Sequence, residues 1–171
     1  GAVDGILVSA PTPELLAAEL RETRDAFAAT GAAGAPALIA ELDVVLDSRG
    51  QSAAERLAAL EAHTPWESAR ARFSGSAAEL IELLAGLLSP TAAGQLSPAD
   101  GVRLHPAVLD TDLEELSRLV LPELRRRGIL APADRDTTFR EQLGQARPRS
   151  RYASAASPSA TPATDAATAG I

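Results

Sequence analysis

The chain has 171 residues, a formal net charge of -7, no cysteine and no lysine. Without cysteine it can form neither disulfides nor thiolate metal sites, and the acidic balance argues against nucleic acid as a partner. We recognise no signal peptide and no apolar run long enough to cross a bilayer, so we expect a cytoplasmic protein that does not bind membranes.

Three apolar segments predict buried β-strands, at residues 3–8, 38–46 and 102–104. The first is a near-continuous apolar run, which is typical of a parallel strand covered on both faces. The second alternates, so that Glu41 and Asp43 share one face and the opposite face is entirely apolar. Each segment is followed by a stretch with helical periodicity.

Helices are predicted after the strands because the sequence carries helix-start patterns there. Thr12 is an N-cap candidate followed by Pro and Glu, and a Ser/Thr-x-x-Glu capping box begins at Ser52, Ser76 and Thr111. In a capping box, each of the two side chains accepts a hydrogen bond from the backbone N–H of the other residue. Pro122 lies inside the last predicted helix and is expected to kink it near Arg118, because proline removes a backbone hydrogen bond.

Strands that alternate with capped amphipathic helices predict βαβ units and a parallel sheet, hence the α/β class. A closed (β/α)₈ barrel needs about 250 residues, so the chain is short for one. Three strands would leave two open edges with unpaired backbone groups. Residues 154–171 are rich in Ala, Ser, Thr and Pro, which predicts a disordered tail after a domain of residues 1–153.

A string of motifs in the second half of the chain resembles a known family. It begins at Gly101-Val-Arg-Leu-His-Pro-Ala-Val-Leu109 and continues through residues 112–116 and 121–128 to Thr137-Thr-Phe-Arg-Glu-Gln-Leu-Gly144 and Arg147-Pro-Arg-Ser-Arg-Tyr152. The string is similar to the C-terminal end of the luciferase-like flavin-dependent monooxygenases, in the branch of the nitrilotriacetate and alkanesulfonate monooxygenases. Phe73-Ser-Gly-Ser76 resembles the family's Phe-x-Gly-Thr/Ser segment, and the whole resemblance spans about residues 3–153.

The resemblance implies a partial TIM (β/α)₈ barrel that holds roughly the last three βα units. It also implies a flavin-dependent monooxygenase that takes reduced FMN from a separate flavin reductase and oxidises a small organic substrate. The family's Gly-x-Ser-Pro-x-Gly phosphate loop has no counterpart here, so we expect the chain to be inactive alone. The alternative is a non-catalytic half-barrel interaction module, which needs a second copy of itself or a complementing barrel half as a partner chain.

The candidate cofactor-binding residues are Ser9 and His105, because ligands of parallel α/β folds bind at the carboxyl ends of strands. The resemblance places the flavin at that face. The interpretation that we favour for each is local: Ser9 lies in a strand-ending turn, and His105 is hydrogen-bonded to backbone. His63 and His105, the two histidines, are too far apart in sequence to suggest a metal site, and no catalytic residue is assigned.

The candidate substrate-binding residues are Arg70, Arg72 and Arg103. Arg103 could hold an anionic substrate, or it could pair with Glu41 or Asp43 on the neighbouring strand, which is the interpretation that we favour. In the resembling enzymes, a mobile lid with an arginine lies just upstream of the Phe-x-Gly segment, where Arg70 and Arg72 stand here. They could clamp an anionic group, although a solvated helix face is the interpretation that we favour for both.

Overall fold

The computed structural model describes residues 3–31, 35–90, 92, 94–130 and 137–142. Within them strands and helices alternate as far as the helix after the fourth strand, as the sequence predicts for an α/β fold. The strands are β1 (Gly5–Val8), β2 (Ala37–Leu46), β3 (Ala71–Gly75) and β4 (Gly101–Pro106). The helices are α1 (Pro13–Ala29), α2 (Ala53–Glu61), α3 (Ala77–Leu88), α4 (Leu109–Glu115), α5 (Leu121–Arg126) and α6 (Phe139–Gln142). The predicted tail and the motif at residues 147–152 lie outside the described residues.

The described strands form one parallel sheet with β2 at its centre. β1 pairs with residues 37–40 of β2, β3 with residues 42–46, and β4 with residues 39–44. A strand has two edges, and the residues of β2 that pair with β4 include residues that also pair with β1 and residues that also pair with β3. β4 therefore occupies one edge of β2, while β1 and β3 follow one another along the other edge.

β3 is a fourth strand that the apolar segments do not predict, since Phe73 is its one large apolar residue. Ala71 is fully buried and Phe73 packs against the core, whereas Arg72 and Ser74 alternate with them. This strand corrects the interpretation of Arg70 and Arg72 as part of a solvated helix face. Arg72 lies within β3, and Arg70 immediately precedes it.

The hydrophobic core is built on one face of β2. The five side chains of that face are at most 1% exposed: Leu38, Ala40, Leu42, Val44 and Leu46. They belong to one cluster with apolar residues of α1, α3 and the segment from 116 to 124, which confirms the predicted alternation of β2. Paired residues of parallel strands point to the same side, so Leu7, Arg103 and His105 share the opposite face with Glu41 and Asp43.

Three of the four predicted helix starts are confirmed. Thr12 caps α1 by accepting from the N–H of Leu15, and complete capping boxes begin α2 at Ser52 and α3 at Ser76. The predicted box at Thr111 is wrong, because α4 begins two residues before it and has Val108 as its N-cap residue, without a side-chain cap. Among the described helices, none combines the length and the apolar character required to cross a membrane.

The predicted kink before Pro122 takes the form of a π-helical turn. The turn spans Leu116–Val120, which includes Arg118, and α5 begins directly after it with Pro122 in its first turn. Proline has no N–H for the helical ladder, so a change of hydrogen-bonding pattern in the preceding turn is the expected response. Leu116 and Val120 remain buried, so the turn keeps the apolar side of this segment against the core.

Candidate functional site

Four polar residues meet on the face of the sheet opposite the core. Ser9 follows β1, Glu41 lies in β2, and Arg103 and His105 lie in β4. In the register of the sheet, Arg103 stands directly beside Glu41. The strands are parallel, so the carboxyl ends of β1 and β4 lie at the same side of the sheet, where α/β proteins bind their ligands.

The carboxylate of Glu41 is the centre of this group. Ser9 Oγ donates to Glu41 Oε2 at 2.8 Å, while His105 Nε2 lies 3.2 Å from Oε1 and Arg103 Nη1 lies 3.4 Å from the same oxygen. The side chain of Glu41 is 14% exposed, and that of Arg103 is 57% exposed. The carboxylate of Glu41 is therefore largely shielded from solvent, whereas the guanidinium-bearing side chain of Arg103 is accessible. We call these four residues the polar cluster.

The contacts of Glu41 stabilise its ionised form. The hydrogen bond from Ser9 is the largest cause that lowers the pKa of Glu41 below its usual value, and partial burial opposes it. The hydrogen bond from His105 and the charges of His105 and Arg103 lower the pKa further. At neutral pH, Glu41 is accordingly a carboxylate that is contacted by three side chains from the two neighbouring strands, Ser9 after β1 and Arg103 and His105 on β4.

A second acid on the same face, Asp43, is paired with Arg70. Arg70 Nε donates to Asp43 Oδ1 at 2.8 Å, and the side chain of Asp43 is fully buried. The other oxygen, Oδ2, is buried without a hydrogen-bond partner within the described residues. A buried carboxylate is costly without compensation, so Arg70 is the group that makes this position tolerable.

Arg72 is held by a different set of contacts. Its guanidinium stacks on the ring of Trp66 at 4.4 Å, and its Nη1 lies 3.0 Å from Glu61 Oε1. Its Nη2 also donates to the carbonyl oxygen of Trp66 at 2.5 Å. Arg72 therefore anchors the segment before β3, while Arg70 is the arginine of this pair that reaches the polar face of β2.

The structure brings together three of the five residues that the sequence singles out. Ser9, Arg103 and His105 all contact Glu41, whereas Arg70 contacts Asp43 and Arg72 lies with Trp66. The predicted pairing of Arg103 with the neighbouring strand is present at Glu41. His105 contacts the Glu41 carboxylate instead of the backbone group that sequence reasoning favours.

Sequence reasoning did not identify Glu41 as the common partner of Ser9 and His105. The signal was available in part, because the alternation of β2 places Glu41 on the polar face and parallel pairing makes β1 and β4 its neighbours. The register that brings the strand ends to Glu41, however, depends on packing in the whole sheet. In the described ranges, no group of three or more acidic or histidine side chains is placed to hold a metal ion.

A recess lies outside the polar cluster, beyond the carboxyl end of β2. It has a volume of about 440 Å³ and is lined by the loop of residues 47–52 and by Glu115. Arg49 and Gly50 have φ angles of 51° and 79°, which form a tight turn closed by two backbone hydrogen bonds between Ser48 and Gln51. The recess is wide open, and its polar side chains already have partners, Ser48 in Glu115 and Asp47 in the N–H of Ala53, so we assign no ligand to it.

Comparisons with known proteins show a likeness in fold but do not assign the chain to a family. No family model matches the chain, and no curated protein matches it. Among solved structures, it is similar to the EDTA monooxygenase EmoA from Chelativorans sp. BNC1, with a TM-score of 0.52 and 17% sequence identity. The match covers 84% of this chain and 46% of that chain, so this chain spans about half the length of the monooxygenase. The likeness shows a shared α/β arrangement with a parallel sheet.

Proposed function

We propose that this chain forms part of the barrel of a luciferase-like, flavin-dependent monooxygenase. In this proposal the complete enzyme receives reduced FMN from a separate flavin reductase and oxidises a small organic substrate, with the flavin supplying the oxygen chemistry. The shared fold with part of a monooxygenase supports the proposal. So does the motif string in the second half of the chain, which resembles the nitrilotriacetate and alkanesulfonate branch.

The observation that carries the proposal is the convergence of Ser9, Arg103 and His105 on Glu41. These contacts lie on the sheet face that a closed parallel barrel would turn inward, at the end where such barrels bind ligands. We assign Ser9 and His105 to the flavin side of the pocket and Arg103 to an anionic group of the substrate or cofactor. Arg103 fits that role because most of its side chain is exposed.

The described sheet supplies only part of a pocket. It has four strands, and the match covers less than half of the monooxygenase. A flavin phosphate needs several converging backbone N–H groups, and the chain carries no glycine-rich loop that would provide them. We therefore propose that the chain alone binds FMN weakly and does not turn over, and that a second piece of the barrel completes the site.

FMN titration followed by NMR of the ¹⁵N-labelled full chain tests this proposal. We expect saturable but weak perturbations at Ser9, Glu41, Arg103 and His105, and none at Arg24 on α1. Inorganic phosphate is the control, because the proposal requires FMN to perturb the cluster more strongly than phosphate does. Absence of perturbation by FMN would contradict a flavin site, and tight stoichiometric binding would contradict an incomplete pocket.

The second candidate function, a non-catalytic half-barrel module, is favoured by a different observation. The outer edges of β1 and β4 have no partner strand in the described part of the chain, and open edges favour association. Leu7, on the same sheet face as Glu41, is 52% exposed. Leu15 on α1 is 54% exposed and lies away from that face, so it serves as the control position for a substitution at Leu7. Self-association in sedimentation experiments that Leu7→Lys abolishes and Leu15→Lys preserves would favour the module.

A further inference from the structure

The contact between Glu41 and His105 determines which ring nitrogen of the histidine is available to a ligand. His105 Nε2 lies 3.2 Å from Glu41 Oε1. An ionised carboxylate accepts hydrogen bonds and cannot donate them, so Nε2 of the neutral ring carries the proton. Nδ1 then has a free lone pair. It has no hydrogen-bond partner within the described residues and is not among their buried unpartnered atoms, so it is open to solvent.

We propose that His105 accepts a proton through Nδ1 from a ligand whose carboxylate is bound by Arg103. In this step the ligand's O–H or N–H bond breaks, its electron pair stays on the ligand, and an Nδ1–H bond forms. The imidazolium that results is stabilised by the negative charge of Glu41. His105 is the catalytic residue in this inference, and Glu41 is a positioning residue that fixes the tautomer and orientation of the ring.

The surroundings of the ring suit an anionic ligand that carries an exchangeable proton. Arg103 uses only Nη1 toward Glu41, and its other donors have no partner within the described ranges. Arg103 and His105 are two residues apart on the same strand face, which separates their positions by about 6.6 Å. The remaining charges near the ring, Asp43 and Arg70, neutralise each other. The ligand class is therefore a small carboxylate with a hydroxyl or amine group near the acid.

The inference deepens the proposed function and rests on the same polar cluster, but its test contains no flavin. Failure of flavin binding and failure of proton acceptance are therefore distinguishable. His63 is the second histidine of the chain, it is exposed, and its imidazole has no hydrogen-bond partner in the described part of the chain. It gives an internal reference in every spectrum of the full-length protein.

Long-range ¹H–¹⁵N NMR of the side chains reads the tautomer of each histidine directly. In the unmodified chain we expect neutral His105 to carry its proton on Nε2. Glu41→Gln should raise the share of the Nδ1–H form, because an amide can also donate to Nε2, while His63 stays unchanged. If neutral His105 carries its proton on Nδ1 in the unmodified chain, the inference is overturned, whether or not the variant folds. If Glu41→Gln folds and the tautomer of His105 stays the same, the inference is overturned as well.

Glycolate, a carboxylate with an adjacent hydroxyl, is the probe for the ligand class. We expect a saturable change of the His105 Nδ1 signal that Arg103→Gln weakens at least tenfold and Arg21→Gln leaves intact. Arg21 is the matched control, since it is exposed on α1 and lies outside the polar cluster. No saturable change at His105, or equal responses in the two arginine variants, would overturn the assignment of Arg103 and His105 to one ligand.

Discussion

Arg56 on α2 and Asp112 on α4 form a buried ion pair, with 2.6 Å between Arg56 Nη1 and Asp112 Oδ1. Both residues also bind Leu46, at the carboxyl end of β2. Asp112 Oδ1 accepts a hydrogen bond from the N–H of Leu46, and Arg56 donates one to the carbonyl oxygen of Leu46. Asp112 Oδ2 accepts from the N–H of Val108 at 2.9 Å. One carboxylate thus joins two helices to the carboxyl end of the central strand.

Replacing Asp112 with Asn should destabilise the fold strongly. The change leaves the Arg56 guanidinium buried without its counter-ion, and breaking a buried pair costs about 3–5 kcal/mol in free energy of unfolding. Urea denaturation of the variant measures this cost. Glu114→Gln is the matched control on the same helix, because Glu114 pairs, among the described residues, only with the exposed Arg49 and Arg118, and such pairs at the surface contribute little to stability. Equal effects of the two changes would contradict the account.

The sequence could predict those parts of the fold that depend on local patterns. The alternation of β2 and the capping boxes at Ser52 and Ser76 involve residues within a few positions of each other, and the structure has them. The apolar segments do not predict β3, because its residues are mostly small or polar. The third capping box is predicted for Thr111 and Glu114, whereas the carboxylate that the structure uses in this segment belongs to Asp112, which makes tertiary contacts that no local pattern encodes.

The candidate site was predictable to the same extent. The rule that ligands meet the carboxyl ends of parallel strands singles out Ser9 and His105 from the sequence alone. Their meeting at Glu41 required the strand register, which the sequence does not specify. Arg70 and Arg72 looked equivalent in sequence, but one pairs with a buried acid and the other stacks on Trp66.

The stability contributed by Glu41 should depend on pH in a defined direction. Its pKa is lowered in the folded chain, chiefly by Ser9, so its stabilising contribution is complete above the unfolded value of about 4.3. The contribution is lost as the pH falls through the lower, folded pKa. The difference in free energy of unfolding between the unmodified chain and Glu41→Gln should therefore shrink on acidification below about pH 4. Urea titrations across this range measure it, and a difference that grows in acid would contradict the assignment.

Ser76→Ala should weaken the start of α3. Ser76 Oγ accepts from the N–H of Glu79, and the Glu79 carboxylate accepts from the N–H of Ser76, so the change removes half of a complete capping box. The expected loss is about 0.5–2 kcal/mol in free energy of unfolding, measured by urea denaturation. Ser74→Ala is the control on the preceding strand, because Ser74 is exposed. A comparable loss in that control would argue against capping as the cause.

Arg70 and Arg72 should respond differently to substitution by glutamine. Trp66 is the only tryptophan, and Arg72 stacks on its ring, so Arg72→Gln should change the intrinsic fluorescence of the folded chain. Arg70→Gln should leave that emission largely unchanged. It should instead lower the free energy of unfolding by about 1.5–3 kcal/mol, because buried Asp43 loses its charged donor. If both variants gave the same fluorescence and stability, the two arginines would not have the separate roles described here.

The central claim is that the polar cluster on the face of the sheet opposite the core is a flavin-binding face. Titration of FMN fluorescence with the full chain tests it most directly, with Arg103→Gln and Arg21→Gln compared at one ionic strength. We predict weak, saturable quenching that Arg103→Gln weakens by at least about tenfold, since a charge-assisted hydrogen bond contributes about 1.5–3 kcal/mol. Quenching that is absent, or that is equally affected by both substitutions, would contradict the claim.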